Sequence, residues 1–313
     1  MKRNTPLRTE SLGLLRALAS QEGYNLTALP DVRILRSDRP LTDTPVLYDP
    51  GIVIVCQGAK RGHFGDQVYL YDEQHYLAVS VPVPFTMQSD GSASRPLLAL
   101  YLHLDFHVVA GLMLELDRVS GATPGQMPRS MVSSPMDQEM QRTVHRLLQT
   151  LSRPLEARIL GPALVRELYF RVLTGPQGQA LRAALTQQGH FGKIGRALRR
   201  IHLDYSGQLG LAQLASEAGM SVPTFHSHFK AVTQTSPMQY VKSTRLHRSR
   251  LLMVREGMTA AAACHAVGYE STSQFNREFK RLFGLTPAAE VRRMKASFAV
   301  PPVLPGADYV SSH

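Results

Sequence analysis

The chain has 313 residues, 35 Lys and Arg against 24 Asp and Glu, and a formal net charge of +11. That length allows two domains with sizeable cores. Two cysteines without metal-ligand spacing, Cys56 and Cys264, exclude a disulfide framework and fit a reducing cytoplasm.

No apolar run is long enough to span a bilayer. Residues 1–20 hold no secretory h-region, because LGLLRALA is short and interrupted by Arg16. The expectation is a cytoplasmic protein without a membrane partner. Its charge is uneven. Residues 1–190 carry 19 Lys and Arg against 17 Asp and Glu, whereas residues 191–313 carry 16 against 7. A basic excess confined to one part is the footprint of a polyanionic partner.

In chain order, residues 11–20 read as an opening helix with Ser11 as its cap. Residues 32–35, 51–57, 67–71, 75–81 and 97–104 are β-rich runs. They are separated by the clusters DRPLTDTP, QGAKRGHFGD and QSDGSASRP, which predicts an antiparallel sandwich or small barrel. Pro82 and Pro84 argue for a sheet edge or a strand end. After His107 the pattern turns helical. Residues 121–134 read as a loop, and 135–151, 154–173 and 177–187 as three helices. These helices either dimerise or pack on the barrel. The boundary falls after residue 188, with 189–193 as linker, a helical domain over 194–295, and a disordered tail over 296–313.

The helical domain writes one pattern twice. Leu211, Leu214, Ala215 and Ala218 form one apolar face, and Ala260, Ala263, Cys264 and Val267 repeat it 49 positions later. Gly219 and Gly268 follow, each ending a helix where φ is positive. Ser221 and Ser271 are N-caps. Second helices follow with buried sides Phe225, Phe229, Val232 and Phe275, Phe279, Leu282. Each copy is a helix-turn-helix. Residues 238–255 join the copies as one helix, packed through Tyr240, Val241, Leu246, Leu251 and Leu252 and made basic by Lys242, Arg245, Arg248 and Arg250. Two recognition helices enter successive major grooves only if held roughly 34 Å apart, and DNA bending follows.

The outward faces of the second helices carry Pro223, Thr224, His226, Ser227 and Lys230 in the first copy. The second copy offers Thr272, Ser273, Gln274, Asn276, Arg277 and Lys280. Arg, Asn, Gln, Ser and Thr are the side chains that match major-groove donor and acceptor patterns. Arg277 is the first choice for a base contact, and Lys230 and Lys280 for phosphate.

These residues also carry a resemblance. Residues 193–292 resemble the DNA-binding domain of the AraC/XylS family of bacterial transcription regulators, most specifically in GYESTSQFNREFKRLFGLTP and GMSVPTFHSHFKAVTQTSP. The resemblance implies Pro223, His226 and Ser227 as base readers in the first motif, and Thr272, Ser273, Asn276 and Arg277 in the second. The first helix lacks Arg, which makes its readout weaker or more degenerate.

Residues 47–84 resemble the N-terminal domain of one subgroup, a cupin-like β-barrel followed by helices. The fold class implied is α+β in two domains: this barrel, then an all-α domain with two helix-turn-helix motifs. The partners implied are double-stranded DNA and RNA polymerase, with a small effector in the barrel or a homodimer. No cofactor is implied. Activation is the mode taken, although the sequence leaves the sign open.

The barrel pocket is assigned to Cys56, Tyr69, Tyr71 and Phe85, with Tyr48 and Tyr76 as further aromatic surface. Cys56 follows an apolar strand and precedes Lys60 and Arg61. A thiol near cations can sense an oxidant, but a small core residue is the favoured reading. A cupin-like enzyme carrying a DNA-targeting module is the alternative. It needs convergent His and carboxylate ligands, whereas His63, His75, His103 and His107 are scattered and only His103 and Asp105 share a strand side. A protein-interaction scaffold is the third reading.

Overall fold

The computed structural model describes residues 6–120, 126–186 and 189–297. Helix α1 (Pro6–Leu18) leads into nine strands. These are β1 (Gly23–Leu26), β2 (Val32–Ser37), β3 (Leu41–Tyr48), β4 (Gly51–Gln57), β5 (Ala59–Phe64), β6 (Gln67–Asp72), β7 (His75–Val79), β8 (Val83–Asp90) and β9 (Leu97–His103). Then come α2 (Phe106–Ser120), β10 (Met131–Pro135), α3 (Gln138–Leu151), α4 (Pro154–Thr174) and α5 (Gly178–Leu185). The strands form one curled antiparallel sheet in the order β1-β2-β9-β4-β7-β6-β5-β8-β3, with β10 beside β7.

The apolar run of β4 is explained by its two faces. Strand side chains alternate, and both sides of β4 are covered. Val53 and Val55 point into the barrel with Tyr48, Tyr71, Phe85 and Tyr101. Ile52 and Ile54 face a helical layer with Leu147, Leu148, Leu168 and Tyr169 of α3 and α4. The helices after the barrel therefore pack on it, while the outer side of α4 leaves Leu155 and Ile159 exposed.

Several sequence expectations are corrected. Ser11 is not a cap: α1 starts at Pro6, and the Ser11 hydroxyl donates to the Leu7 carbonyl (2.8 Å) and meets His145 Nδ1 (2.9 Å). The clusters DRPLTDTP and QGAKRGHFGD hold parts of β3 and β5, whose outward residues are polar and disguise the strands. Pro84, by contrast, sits at a strand end as expected, pairing Leu47 of β3 beyond the ladder between β8 and β5. Of the expected loop 121–134, residues 121–125 lie outside the described residues, and Met131–Pro135 pairs with β7. The expected linker 189–193 is the first turn of α6 (Gly189–Leu203). Phe191 is buried there and extends the stripe of Ile194, Leu198 and Ile201. Residues 298–313 of the expected tail lie outside the described residues, and Ser297 closes the last helix.

The second half continues with α7 (Leu211–Glu217), α8 (Val222–Thr233), α9 (Pro237–Arg255), α10 (Ala260–Ala266), α11 (Thr272–Phe283) and α12 (Pro287–Ser297). It packs directly on the barrel. Tyr240 of α9 donates to the Pro82 carbonyl (3.0 Å), and Ser130 donates to the Val232 carbonyl of α8. Strand β3 is two-sided: Val46 and Tyr48 belong to the barrel interior, whereas Leu47 meets Leu251 of α9 and the Pro45 carbonyl accepts from Arg250 (3.3 Å).

The twin turns have unequal room. Both Gly219 (φ 60°) and Gly268 (φ 85°) are left-handed. A Cβ on Gly268 would lie 2.3 Å from the Ser206 carbonyl oxygen, whereas on Gly219 the nearest atom is Lys193 Nζ at 3.8 Å. Gly219→Ala should cost about 1–2 kcal/mol for the left-handed backbone alone. Gly268→Ala should cost clearly more. Urea unfolding of the two variants checks the order, and equal losses would contradict it.

Candidate DNA-binding surface and barrel interior

Each helix-turn-helix is built from local signals. The hydroxyl of Ser221 accepts from the Thr224 N–H, and that of Ser271 from the Gln274 N–H, satisfying free donors at the starts of α8 and α11. Phe225 and Phe229 of α8, and Phe275 and Phe279 of α11, are fully buried and fix which side of each helix faces out. The third buried residue of α11 is Phe283, with Leu282 only half-buried, a one-residue shift from the expectation.

Pro223, Thr224, His226, Ser227 and Lys230 are exposed on α8, and Thr272, Ser273, Asn276, Arg277 and Lys280 are exposed on α11. Gln274 differs. It is half-buried, and its Nε2 donates to Glu278 Oε1 (3.3 Å). Burial opposes the charge on Glu278, but hydrogen bonds from Lys242, Tyr269 and Gln274 outweigh it and hold the carboxyl below its usual range.

The cations expected to make the connector basic are all engaged within the protein, and Arg250 alone is buried while Lys242, Arg245 and Arg248 stay part-exposed. Arg250 is fully buried and paired with Glu290 (3.2 Å). Arg245 donates to the carbonyls of Tyr205, Gly268 and Gly207, and Arg248 to the Tyr205 hydroxyl (3.1 Å). Lys242 pairs with Glu278 (2.8 Å). The cause is geometric: α9 runs between the two units and has neighbours on most sides.

The barrel interior is polar at its centre. Lys60 of β5 is 1% exposed, and its Nζ donates to the hydroxyls of Tyr101 (2.6 Å) and Tyr48 (3.1 Å). It also lies 5.2–5.9 Å from the ring centroids of Tyr101, Tyr48 and Tyr71. Among the described residues no carboxylate forms an ion pair with it, and burial lowers its pKa to about 7. Sequence reasoning missed Lys60 because its segment was taken as a turn cluster. The signal was there in the spacing, since Lys60, Gly62 and Phe64 alternate between two turn glycines, Gly58 and Gly65.

The four expected pocket residues do not converge. Tyr71 and Phe85 are buried inside, and Tyr69 packs against them half-exposed. Cys56 lies on the opposite face of β4 with Ile52 and Ile54, beside a separate cavity of about 270 Å³ also lined by Arg8, Ser11, Glu73 and Gln141. Burial pushes its thiol up to about 12, away from thiolate reactivity. Tyr76 likewise faces the helices. His103 pairs with Asp49 (3.2 Å), while Asp105 accepts from the N–H groups of His107 and Val108 at the start of α2, so these two do not share a site.

Known proteins match both halves. A profile for the AraC-type transcriptional regulator N-terminus matches residues 28–180, and one for a helix-turn-helix domain matches residues 214–293. The HTH-type transcriptional regulator ExsA of Pseudomonas aeruginosa is 24% identical over 212 residues, covering 65% of this chain and 72% of its own. The virulence regulon transcriptional activator VirF of Yersinia enterocolitica is 25% identical over 242 residues, covering 76% and 87%. ToxT from Vibrio cholerae, solved with an unsaturated fatty acid bound, aligns with a TM-score of 0.57 over 89% of this chain and 100% of its own. At 10% identity that likeness is one of fold. The cupin-like sheet with its trailing helices and the twin helical units thus match the two parts of one kind of regulator, and the chain belongs to the AraC family of DNA-binding transcription regulators.

Proposed function

We propose that this regulator reads two adjacent half-sites with the outward faces of α8 and α11, and that a small apolar carboxylic acid bound in the barrel modulates that reading. The observation that supports the first part is the pair of exposed polar faces on capped helices joined by one rigid helix, α9. His226 and Ser227 of α8, and Asn276 and Arg277 of α11, are free to meet base edges. Lys230 and Lys280, one residue beyond the buried Phe229 and Phe279, reach for phosphate.

Lys60 supports the second part. Burying an ammonium without a counter-ion costs several kcal/mol. A ligand carboxylate would supply that counter-ion, with the rings of Tyr48, Tyr71 and Phe85 around its apolar body. The ToxT structure with a bound fatty acid is in keeping with an acid of this class. The effect on DNA binding follows from β3. A ligand that moves Tyr48 moves the strand whose other face holds Leu251 and Arg250 of α9. Only unequal affinity for two arrangements of the domains can shift their balance.

Arg277→Ala should weaken binding to a selected site by about 1–3 kcal/mol and relax the preference at one base pair. Sequence selection from a random duplex pool, followed by titration at fixed salt, checks it. An equal loss on all sequences would make Arg277 a phosphate contact.

Acid binding needs the ammonium form of Lys60, whose pKa in the free protein is lowered to about 7. Above that pH, binding takes up a proton, so affinity should fall by about tenfold per pH unit between roughly pH 7.5 and 9. Calorimetry with decanoate at several pH values measures it, and the dependence should vanish in Lys60→Met. Failure of medium-chain and long-chain acids to bind at all would remove the acid reading.

A further inference from the structure

The two units are alike in backbone and unlike in how each recognition helix is held. A shift of 49 or 50 positions relates their residues, so Lys193, Met220, Thr224 and His228 of unit one stand where Lys242, Tyr269, Gln274 and Glu278 stand in unit two. In unit two these side chains converge. Glu278 Oε1 accepts from Lys242 Nζ (2.8 Å) and Gln274 Nε2 (3.3 Å), and Oε2 accepts from the Tyr269 hydroxyl (2.7 Å). The Glu278 side chain is 12% exposed, so water screens the pair with Lys242 only partly.

Among the described residues unit one has no such junction. Lys193 Nζ instead reaches the Gly219 carbonyl at 3.4 Å. Met220 has no hydroxyl, Thr224 bonds back to Ser221, and the His228 ring stacks on His190 with centroids 4.1 Å apart. A stack of two rings resists sliding weakly, whereas charge-assisted hydrogen bonds from Lys242 of α9 and Tyr269 of the turn hold the helix at two outside points, with Gln274 of α11 itself orienting the carboxylate.

We propose that Glu278 is the positioning residue of the second motif: it locks α11 onto the connector α9 and the turn, so that the half-site under α11 is read from a fixed helix and that under α8 from a more adaptable one. This rests on the reading of α8 and α11 as the recognition helices. Glu278 lies one residue from Arg277 but on the inner side of the helix. It acts by setting the angle at which Asn276 and Arg277 project, and a bidentate base contact tolerates little rotation.

The test is selection from a random duplex pool with the full chain, its Glu278→Gln and Glu278→Lys variants, and the reversed pair Lys242→Glu with Glu278→Lys. Arg277→Ala is run alongside, and thermal melts are recorded for all. Each single variant should lose about tenfold in base discrimination within the half-site under α11 and none in the other. The reversed pair should regain most of it. Thermal melting alone would not separate positioning from folding, but a loss confined to one half-site, with rescue, does.

Unchanged discrimination in both single variants, or an equal loss in both half-sites that the reversed pair fails to restore, would overturn the role of Glu278. If Arg277→Ala leaves the selected site unaltered, α11 is not a reader and the proposal falls with that assignment. A normal Arg277 effect with an inert Glu278 overturns the proposal alone.

Discussion

The arrangement of the two halves depends on one buried guanidinium. Arg250 is fully enclosed, and its neighbours come from four elements: Glu290 of α12, the ring of Phe283 of α11 (4.3 Å to the centroid), its own helix α9, and the Pro45 carbonyl of β3. Taking such a charge out of water is costly, and one missing partner leaves the cost uncompensated. Burial lowers its pKa to about 10, which still leaves it charged at neutral pH. The site can therefore form only when barrel, connector and second motif are all in place. Glu290, itself buried, also accepts from Arg293, which completes the carboxylate's partners.

Most of the helical half was legible because its signals are local. A serine cap acts within three residues, a phenylalanine stripe within one turn, and a left-handed glycine at a single position. Their repetition at a near-constant offset raised a weak motif to a specific one. Arg250 was misread for the opposite reason. Its partner Glu290 lies 40 positions away and pairs through tertiary packing, which a helix-face count does not register. Gln274 was assigned to the outer face for a different reason: its residue type suits a base contact, but its side chain turns along α11 to Glu278, an i,i+4 contact that competes with solvent.

The barrel was legible where strands are buried on both sides and obscure where one side is wet. β4 stood out as an apolar run. β3, β5 and β8 carry proline or charged and polar side chains on their outward positions and look like turns until the inward residues are counted alone. For β8 these are Val83, Phe85, Met87 and Ser89, all buried. Parity also decides Cys56. It shares a side of β4 with Ile52 and Ile54, so it faces the helices, and the interior goes instead to Lys60 and the tyrosines.

The period of two along β3 has an evolutionary consequence. Its even-numbered residues, Val46 and Tyr48, face the barrel interior, while Leu47 and the Pro45 carbonyl meet the helical half at Leu251 and Arg250 of the connector. Mutations at neighbouring positions are therefore seen by different selection pressures. A lineage can repack the barrel interior by changing the first set while the second keeps its hold on the helical DNA-binding half. One short strand thus lets the two cores vary separately without severing the link between them.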